Sequence, residues 1–187
     1  MLIPLGILDY PAPTAAGSYD LLETEILTSS QASVTFSSLN STYGADYQHL
    51  QIRYTTRSTR AADDSYIKVT FNGSATGYYG HLLYGDGSGS PASLYWGTST
   101  FLYAGWGAGN NAASSSFGAG VMDILDAFST TKRKTMRDLS GRTSPTRIGL
   151  GSGSWASNDA LTSITLTADN NDWAIGCRFS LYGLKAA

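Results

Sequence analysis

The sequence predicts an all-β protein, an antiparallel β-sandwich with a jelly-roll-like arrangement of strands. Apolar residues alternate with Ser, Thr, Asn and Gly over most of the 187 residues. A period of two buries one face of a strand and leaves the other in water. Turn-forming sequences recur at intervals of about 8–12 residues, which is typical of sandwiches and jelly rolls. The clearest alternating segments are residues 33–37, 50–55, 67–71, 164–167 and 175–182.

The first 18 residues differ from the rest of the chain. Residues 1–8 are apolar, and residues 9–17 are rich in Pro, Ala and Gly, with Pro11 and Pro13 favouring extended backbone. An apolar tip on an extended linker predicts a docking arm, residues 1–18, ahead of a sandwich domain at 19–187. The alternative is a first strand that packs on its own core. The predicted docking residues are Leu2, Ile3, Leu5, Ile7 and Leu8.

The first half of the sandwich contains five predicted strands. They cover residues 23–28, 32–37, 47–57, 66–72 and 78–84. Polar segments at 29–31, 40–46 and 58–65 separate the first four of them as turns or loops. Asn72 and Gly73 form a strong turn sequence, because both residues accept left-handed backbone.

The second half begins with two glycine-rich loops, 86–91 and 105–116, around one or two short strands within 94–103. Residues 117–128 are ambiguous, because Val121, Ile124 and Leu125 have helical spacing, while the surrounding sequence favours a strand. The remaining predicted strands are 134–140, 147–150, 163–168 and 173–184. Residues 169–172 are predicted to form the hairpin turn between the last two.

The low charge content bears on the kind of partner that the protein binds. The net charge is −2, which disfavours nucleic acid binding. Only 14% of residues are charged, so the polar surface must come from Ser, Thr, Asn and Gly. Such a surface suits dense packing against other proteins, although strands also favour Thr for local reasons. The basic run at 131–134 is interpreted as a solvated turn.

The single cysteine and the N-terminus indicate the cellular setting. Cys177 is the single cysteine, so it cannot form an intramolecular disulfide. It falls on the apolar face of its predicted strand, which predicts that it is buried. Residues 1–8 lack the positive charge and apolar length of a signal peptide. No segment approaches the roughly 18 apolar residues of a membrane span. We therefore expect a soluble protein made in the cytoplasm.

The search for chemical groups predicts no catalytic residue, no metal and no cofactor. Two separated histidines, His49 and His81, and one cysteine do not form a zinc ligand set. The carboxylate pairs that could hydrolyse glycosides or bind calcium lie near predicted turns, where Asp favours the backbone. These carboxylates are Asp63 with Asp64, Asp123 with Asp126, and Asp86.

One glycine-rich segment and three tryptophans remain. Gly149–Gly153 resembles a phosphate-binding loop but lacks its lysine and helix, so we expect glycine turns between strands. Trp96, Trp106 and Trp155 lie in or beside glycine-rich segments, which makes them candidates for exposed aromatic contacts with a sugar or a protein. Core packing is the alternative for each ring.

Several motifs resemble those of a family of structural proteins of tailed bacteriophages, in the same order along nearly the whole chain. They are Ile3–Leu8 with its linker, 18–24 leading to 33–36, 49–53 followed by 57–60, Phe71-Asn72, 81–85, 123–126 and 178–183. Proteins of this group have roles described as virion protein, tail fibre or head decoration.

The resemblance implies a non-enzymatic virion component with a β-sandwich body. A compact domain with an apolar arm, and without a repetitive shaft, favours a cement protein on the outer capsid surface. Such a protein would bind the major capsid protein and cluster as homotrimers, without contacting nucleic acid or membrane. The alternative is a receptor-binding module of the tail, in which the three tryptophans stack on host glycans.

Overall fold

The computed structural model describes residues 19–143 and 146–185, which form two antiparallel sheets packed face to face. The predicted all-β sandwich is therefore confirmed. The predicted arm, residues 1–18 with its docking residues Leu2 to Leu8, lies outside the described residues.

Twelve strands and one short helix make up the described part of the chain. In order they are β1 (Asp20–Ile26), β2 (Ser33–Ser37), α1 (Leu39–Tyr43), β3 (His49–Thr56), β4 (Asp64–Phe71), β5 (Tyr78–Gly85), β6 (Ala92–Ser99), β7 (Leu102–Ala108), β8 (Gly118–Leu125), β9 (Lys134–Thr143), β10 (Thr146–Trp155), β11 (Ser163–Ala168) and β12 (Arg178–Leu184).

The strand order is that of a jelly roll with two added hairpins. The large sheet runs β1-β12-β3-β8-β9-β10-β5-β6, and the small sheet runs β2-β11-β4-β7. Without the hairpins β5–β6 and β9–β10, eight strands remain. Numbered along the chain, they follow the order 1-8-3-6 in one sheet and 2-7-4-5 in the other, as in jelly rolls. The hairpins extend the large sheet by four strands.

The core lies between the sheets and is apolar around the eight jelly-roll strands. Its fully buried side chains include Leu50, Ile52, Ile67, Val69, Phe71, Met122, Ile164, Leu166, Trp173 and Phe179. Cys177 is buried, as predicted, just before β12. Strand β7, the edge of the small sheet, contacts β8, β9 and β10 of the large sheet. Strand β7 therefore packs over β9 and β10, the first two of the four added strands.

Two turns bear directly on the topology. Asn72 and Gly73 have positive φ angles of 51° and 67°, so the predicted turn is confirmed. However, β4 and β5 on either side of it lie in different sheets. The prediction of a hairpin turn at 169–172 is wrong for the same reason, since β11 and β12 belong to opposite sheets. Trp173, in the segment that crosses between them, is fully buried.

Three further boundaries are corrected. The predicted loop 40–46 contains α1, because Leu39 is buried and holds this segment on the core. The predicted loop 105–116 begins only after Ala108, since Trp106 and Ala108 are buried in β7. Residues 118–125 form a strand, β8, as favoured above. Ile175, placed on the buried face of the last predicted strand, is 63% exposed because β12 starts only at Arg178.

Candidate interaction surface

Two of the three tryptophans predicted as exposed contacts are buried. Trp106 has no exposed surface and Trp155 has 5%. The Trp155 ring stacks on Tyr78, with 6.2 Å between ring centroids, and its Nε1–H donates to the carbonyl of Thr76 at 3.2 Å. Trp96 is half-buried and lies edge-on to Tyr103, 4.9 Å between centroids. The exposure predicted for Trp106 and Trp155 is therefore wrong.

Glycines of β10 explain how a large ring fits inside. Gly149, Gly151 and Gly153 lie within this strand and are buried, so the prediction of glycine turns is wrong. A Cβ at Gly149 would overlap the Trp106 ring, and one at Gly151 would overlap the carboxylate of Asp138. Because the three glycines have no side chain, they leave space in the interior for larger side chains of β7 and β9.

Strand β9 turns polar side chains toward the interior. Lys134, Asp138, Ser140 and Arg142 are each at most 5% exposed. Lys134 was assigned to a solvated turn, but its ammonium is buried and donates to the carbonyls of Ser129 and Lys132. Carbonyls at the end of this turn therefore replace water around the charge, while residues 131–133 are exposed as predicted.

The carboxylate of Asp64 forms ion pairs with two arginines, one on β9 and one at the start of β10. Its Oδ2 lies 3.3 Å from Nη2 of Arg142 and 2.9 Å from Nη1 of Arg147. The Arg142 side chain is only 2% exposed. The Arg147 guanidinium also stacks over Trp106, 5.3 Å from the ring centroid. This cluster joins β4 of the small sheet to β9 and β10.

The other carboxylates considered for catalysis or calcium are engaged in local contacts. Asp123 accepts from Gln51 and Arg137, and Asp126 accepts from Gln48 and Lys132. The hydrogen bond from Gln48, with the one from Lys132, lowers the pKa of Asp126.

The remaining candidate ligands do not come together. Asp86 accepts from its neighbour Ser88, a contact that lowers the pKa of Asp86. Nδ1 of His49 accepts from the backbone N–H of Asp126 at 2.8 Å, whereas His81 is exposed on β5. Within residues 19–143 and 146–185, no group of three or more His, Cys, Asp or Glu side chains could hold a metal ion.

Asp138 is the most perturbed acid of the interior. It is 2% exposed and forms no ion pair with any described residue. Burial raises the pKa of Asp138 to about 7, an effect that the adjacent Ser140 hydroxyl partly offsets. A carboxyl that is easier to ionise when unfolded destabilises the fold as pH rises.

We expect Asp138→Asn to stabilise the protein increasingly between pH 4 and pH 7. The unfolded state has a pKa near 3.8 for this group, so ionisation costs folding roughly 4 kcal/mol by pH 7 and little at pH 4. The measurement is the difference in free energy of unfolding between variant and wild type across this range. Asp63→Asn, at an exposed acid, is the control. A difference for Asp138→Asn that does not change with pH would contradict the raised pKa.

In β9 and β10 the polar residues and glycines face the interior, so the apolar residues lie on the outside of the large sheet. We define the outer apolar patch as Leu83, Val121, Leu139, Ile148 and Leu150. Backbone pairing sets Val121 opposite Leu139, Leu139 opposite Leu150, and Leu150 opposite Leu83. The patch thus crosses the neighbouring strands β8, β9, β10 and β5 without interruption.

The patch exposes large aliphatic side chains to water. Leu83 and Leu139 are each 49% exposed, Leu150 is 55% and Ile148 is 60%. Exposed Ala119 and Pro91 border it. The side chains of the patch carry no charge. Single exposed apolar residues are ordinary, but a continuous patch of them marks an interaction surface.

Sequence reasoning did not find this patch, although one sequence feature points to it. In β9 the polar residues Asp138 and Ser140 share the buried phase of Met136, so Leu139 falls outside. In β10 the glycines occupy the buried phase and leave Ile148 and Leu150 outside. Alternate glycines between apolar residues are the relevant feature, because glycine within a strand often marks a site where another group approaches the backbone closely.

No family model, curated protein or solved structure is significantly similar to this chain. Among the described residues there is no helix of the length and apolarity needed to cross a membrane.

Proposed function

We propose that this chain is a non-enzymatic capsid cement protein of a tailed bacteriophage. It binds the shell of major capsid protein on the outer surface of the virion and stabilises that shell. Copies cluster as homotrimers and bridge adjacent capsid subunits. Each copy then adds modest contacts, and their combination gives high avidity.

The outer apolar patch is the observation that carries this proposal. A cement protein needs a surface that is covered when the particle assembles, and half-exposed Leu83, Leu139 and Leu150 form one in a single row. Interfaces that form permanently have such apolar centres. The resemblance of the sequence motifs to phage structural proteins supports the same function.

The interior chemistry also supports a structural function. The carboxylate of Asp64 is held in ion pairs with Arg142 and Arg147, and Asp138 lies inside the sandwich. The polar cluster fastens the β9–β10 hairpin to β4 and so fixes the shape of the large sheet. A rigid sheet face is the requirement for docking with good shape complementarity.

Deletion of residues 1–17 tests the contribution of the arm. We expect the shortened protein to fold and to lose binding to capsids, because Leu2, Ile3, Leu5, Ile7 and Leu8 are removed. The measurement is co-sedimentation with undecorated capsids, with circular dichroism to establish folding. Full retention of capsid binding by the folded variant would contradict the arm model.

The alternative function is a receptor-binding module that recognises host glycans at the tail. One observation favours it: Tyr95 is 78% exposed on the edge strand β6, next to the half-buried Trp96. Exposed aromatic rings can stack on sugars. Since Trp106 and Trp155 are buried, glycan stacking by tryptophan would depend on Trp96.

A further inference from the structure

We propose that Arg53 and Arg178, together with the hydroxyl of Ser180, bind an oxyanion, the carboxylate or phosphate group of a small ligand. The inference goes beyond the proposed function and does not depend on it. The site lies on the outer face of the large sheet, where β3 pairs with β12. It consists of hydrogen-bond donors, two of which carry a positive charge.

The register of β3 and β12 brings the two arginines together on one face. Arg53 is opposite Ser180, and Arg178 is opposite Thr55. Phe179 belongs to the core, so its neighbours Arg178 and Ser180 face outward. Diagonal neighbours across a strand pair are about 7–8 Å apart, a distance that long side chains bridge. Both arginines line one groove, and their guanidinium groups can therefore contact the same small anion.

Contacts with three side chains fix the direction of the Arg53 guanidinium. Its Nε donates to Oε1 of Gln51 at 2.8 Å, and Gln51 is itself only 5% exposed. The guanidinium carbon lies 5.2 Å from the ring centroid of Tyr19 and 4.5 Å from that of Tyr182. Within the part of the chain that the structure describes, Nη1 and Nη2 have no acceptor. These two atoms form the fork that pairs with a carboxylate or phosphate.

Arg178 is anchored through its Nε to Ser180, which adds a third donor. Nε of Arg178 donates to Oγ of Ser180 at 3.3 Å, and this Oγ also accepts from the Thr24 hydroxyl at 3.1 Å. Ser180 is 3% exposed. A hydroxyl that accepts two hydrogen bonds still has its own hydrogen to donate. Among residues 19–143 and 146–185 this hydrogen has no acceptor, and an oxyanion beside Arg178 supplies one.

Most of the other basic residues have partners within the protein. The chain has 12 lysines and arginines, and seven of them form ion pairs within the described residues: Arg60, Lys68, Lys132, Arg137, Arg142, Arg147 and Lys185. Arg57 and Lys134 donate to backbone carbonyls instead. Of the three that remain, Arg133 lies in an exposed turn, and the other two are the neighbours Arg53 and Arg178.

The acid beside the groove is already paired. Asp123 is opposite Gln51, and its carboxylate accepts from Gln51 at 2.7 Å and from Arg137 at 3.0 Å. In the described ranges no acid lies within ion-pair distance of Arg53 or Arg178. Unpaired like charges on neighbouring strands destabilise a sheet. A bound anion removes this repulsion, which is why the charge favours an oxyanion over a neutral ligand.

Titration of the isotope-labelled protein with inorganic phosphate, and separately with acetate, tests the site by NMR at constant ionic strength. We expect the Nε–H signals of Arg53 and Arg178 and the amide signal of Ser180 to shift and saturate together. The probe that binds more tightly shows whether the site prefers a phosphate or a carboxylate.

Substitutions of single arginines separate this site from general attraction to positive charge. Arg53→Gln and Arg178→Gln should each weaken binding of the preferred probe by about tenfold or more, because each removes charge-assisted hydrogen bonds. Arg178→Lys keeps the charge but loses the fork, so it should weaken binding as well. Arg133→Gln, which removes an exposed and unpaired arginine outside the groove, is the matched control and should leave the affinity unchanged.

Two results would overturn the proposal. One is the absence of saturable shifts at Arg53, Arg178 and Ser180 with both probes. The other is equal weakening by Arg133→Gln and Arg178→Gln, which would show that the anion responds only to the net charge of the protein. Circular dichroism of each variant establishes that it is folded.

Discussion

Replacing Asp64 by alanine is expected to lower the free energy of unfolding by about 3–5 kcal/mol, since it removes the counterion of a buried charge. The Arg142 side chain is 2% exposed, and Asp64 is the carboxylate within ion-pair distance of it. The same substitution removes the partner of Arg147, 2.9 Å away. A guanidinium cannot lose its proton to escape the cost, because its pKa remains far above neutral.

The neighbouring residue provides a matched control for this prediction. Asp63 is exposed, and Asp63→Ala should change stability by no more than about 0.5 kcal/mol. Urea unfolding of both variants at pH 7 makes the comparison. Equal effects of the two substitutions would show that the Asp64 cluster does not hold β9 and β10 on β4.

Replacing Gly149 by alanine is expected to cost about 3 kcal/mol, at the upper end of the range for an overfilled interior. The added Cβ would overlap the Trp106 ring, which is fully buried between β7 and β10. Either the ring or the strand must move. The shift should appear both in the free energy of unfolding and in the tryptophan fluorescence of the folded protein.

Gly85, on β5 of the same sheet, is the control for Gly149. A Cβ at Gly85 meets nothing within 4 Å, so Gly85→Ala should be within about 0.5 kcal/mol of the wild type. If Gly149→Ala were as stable as Gly85→Ala, the ring of Trp106 would not occupy the space that Gly149 leaves.

Alternation predicted β4 and β11 of the jelly-roll body well, because in these strands the apolar residues do face inward. Residues 163–168 were predicted with the bounds of β11, and residues 66–72 differ from β4 by two residues at one end and one at the other. In both strands the buried phase consists largely of aliphatic and aromatic side chains, such as Ile67, Val69 and Leu166. Period-two reasoning succeeds where burial and apolarity coincide.

The added hairpin β9–β10 breaks that coincidence. Its interior holds Asp138, Arg142 and glycines, whereas Leu139 and Leu150 face outward. The glycines were predicted to form turns, and no local pattern marks the two leucines as outward-facing. Only the partners from distant strands, Asp64 and Trp106, explain why charge and glycine are stable inside. The interaction surface therefore could not be predicted from local pattern.

The predicted functional residues fared differently. The prediction that Trp106 and Trp155 are exposed was wrong, because both rings are buried. The docking residues of the arm, the phage family and the cement function remain predictions. The outer apolar patch was absent from the predictions.

Imaging purified phage particles by cryo-electron microscopy tests the cement function most directly. We predict density for this sandwich at repeated positions over the icosahedral shell, arranged in threes, with Leu139, Ile148 and Leu150 covered by a neighbouring chain. Density confined to the tail or its fibres would contradict the cement function, and would make Tyr95 and Trp96 the residues to test for glycan binding.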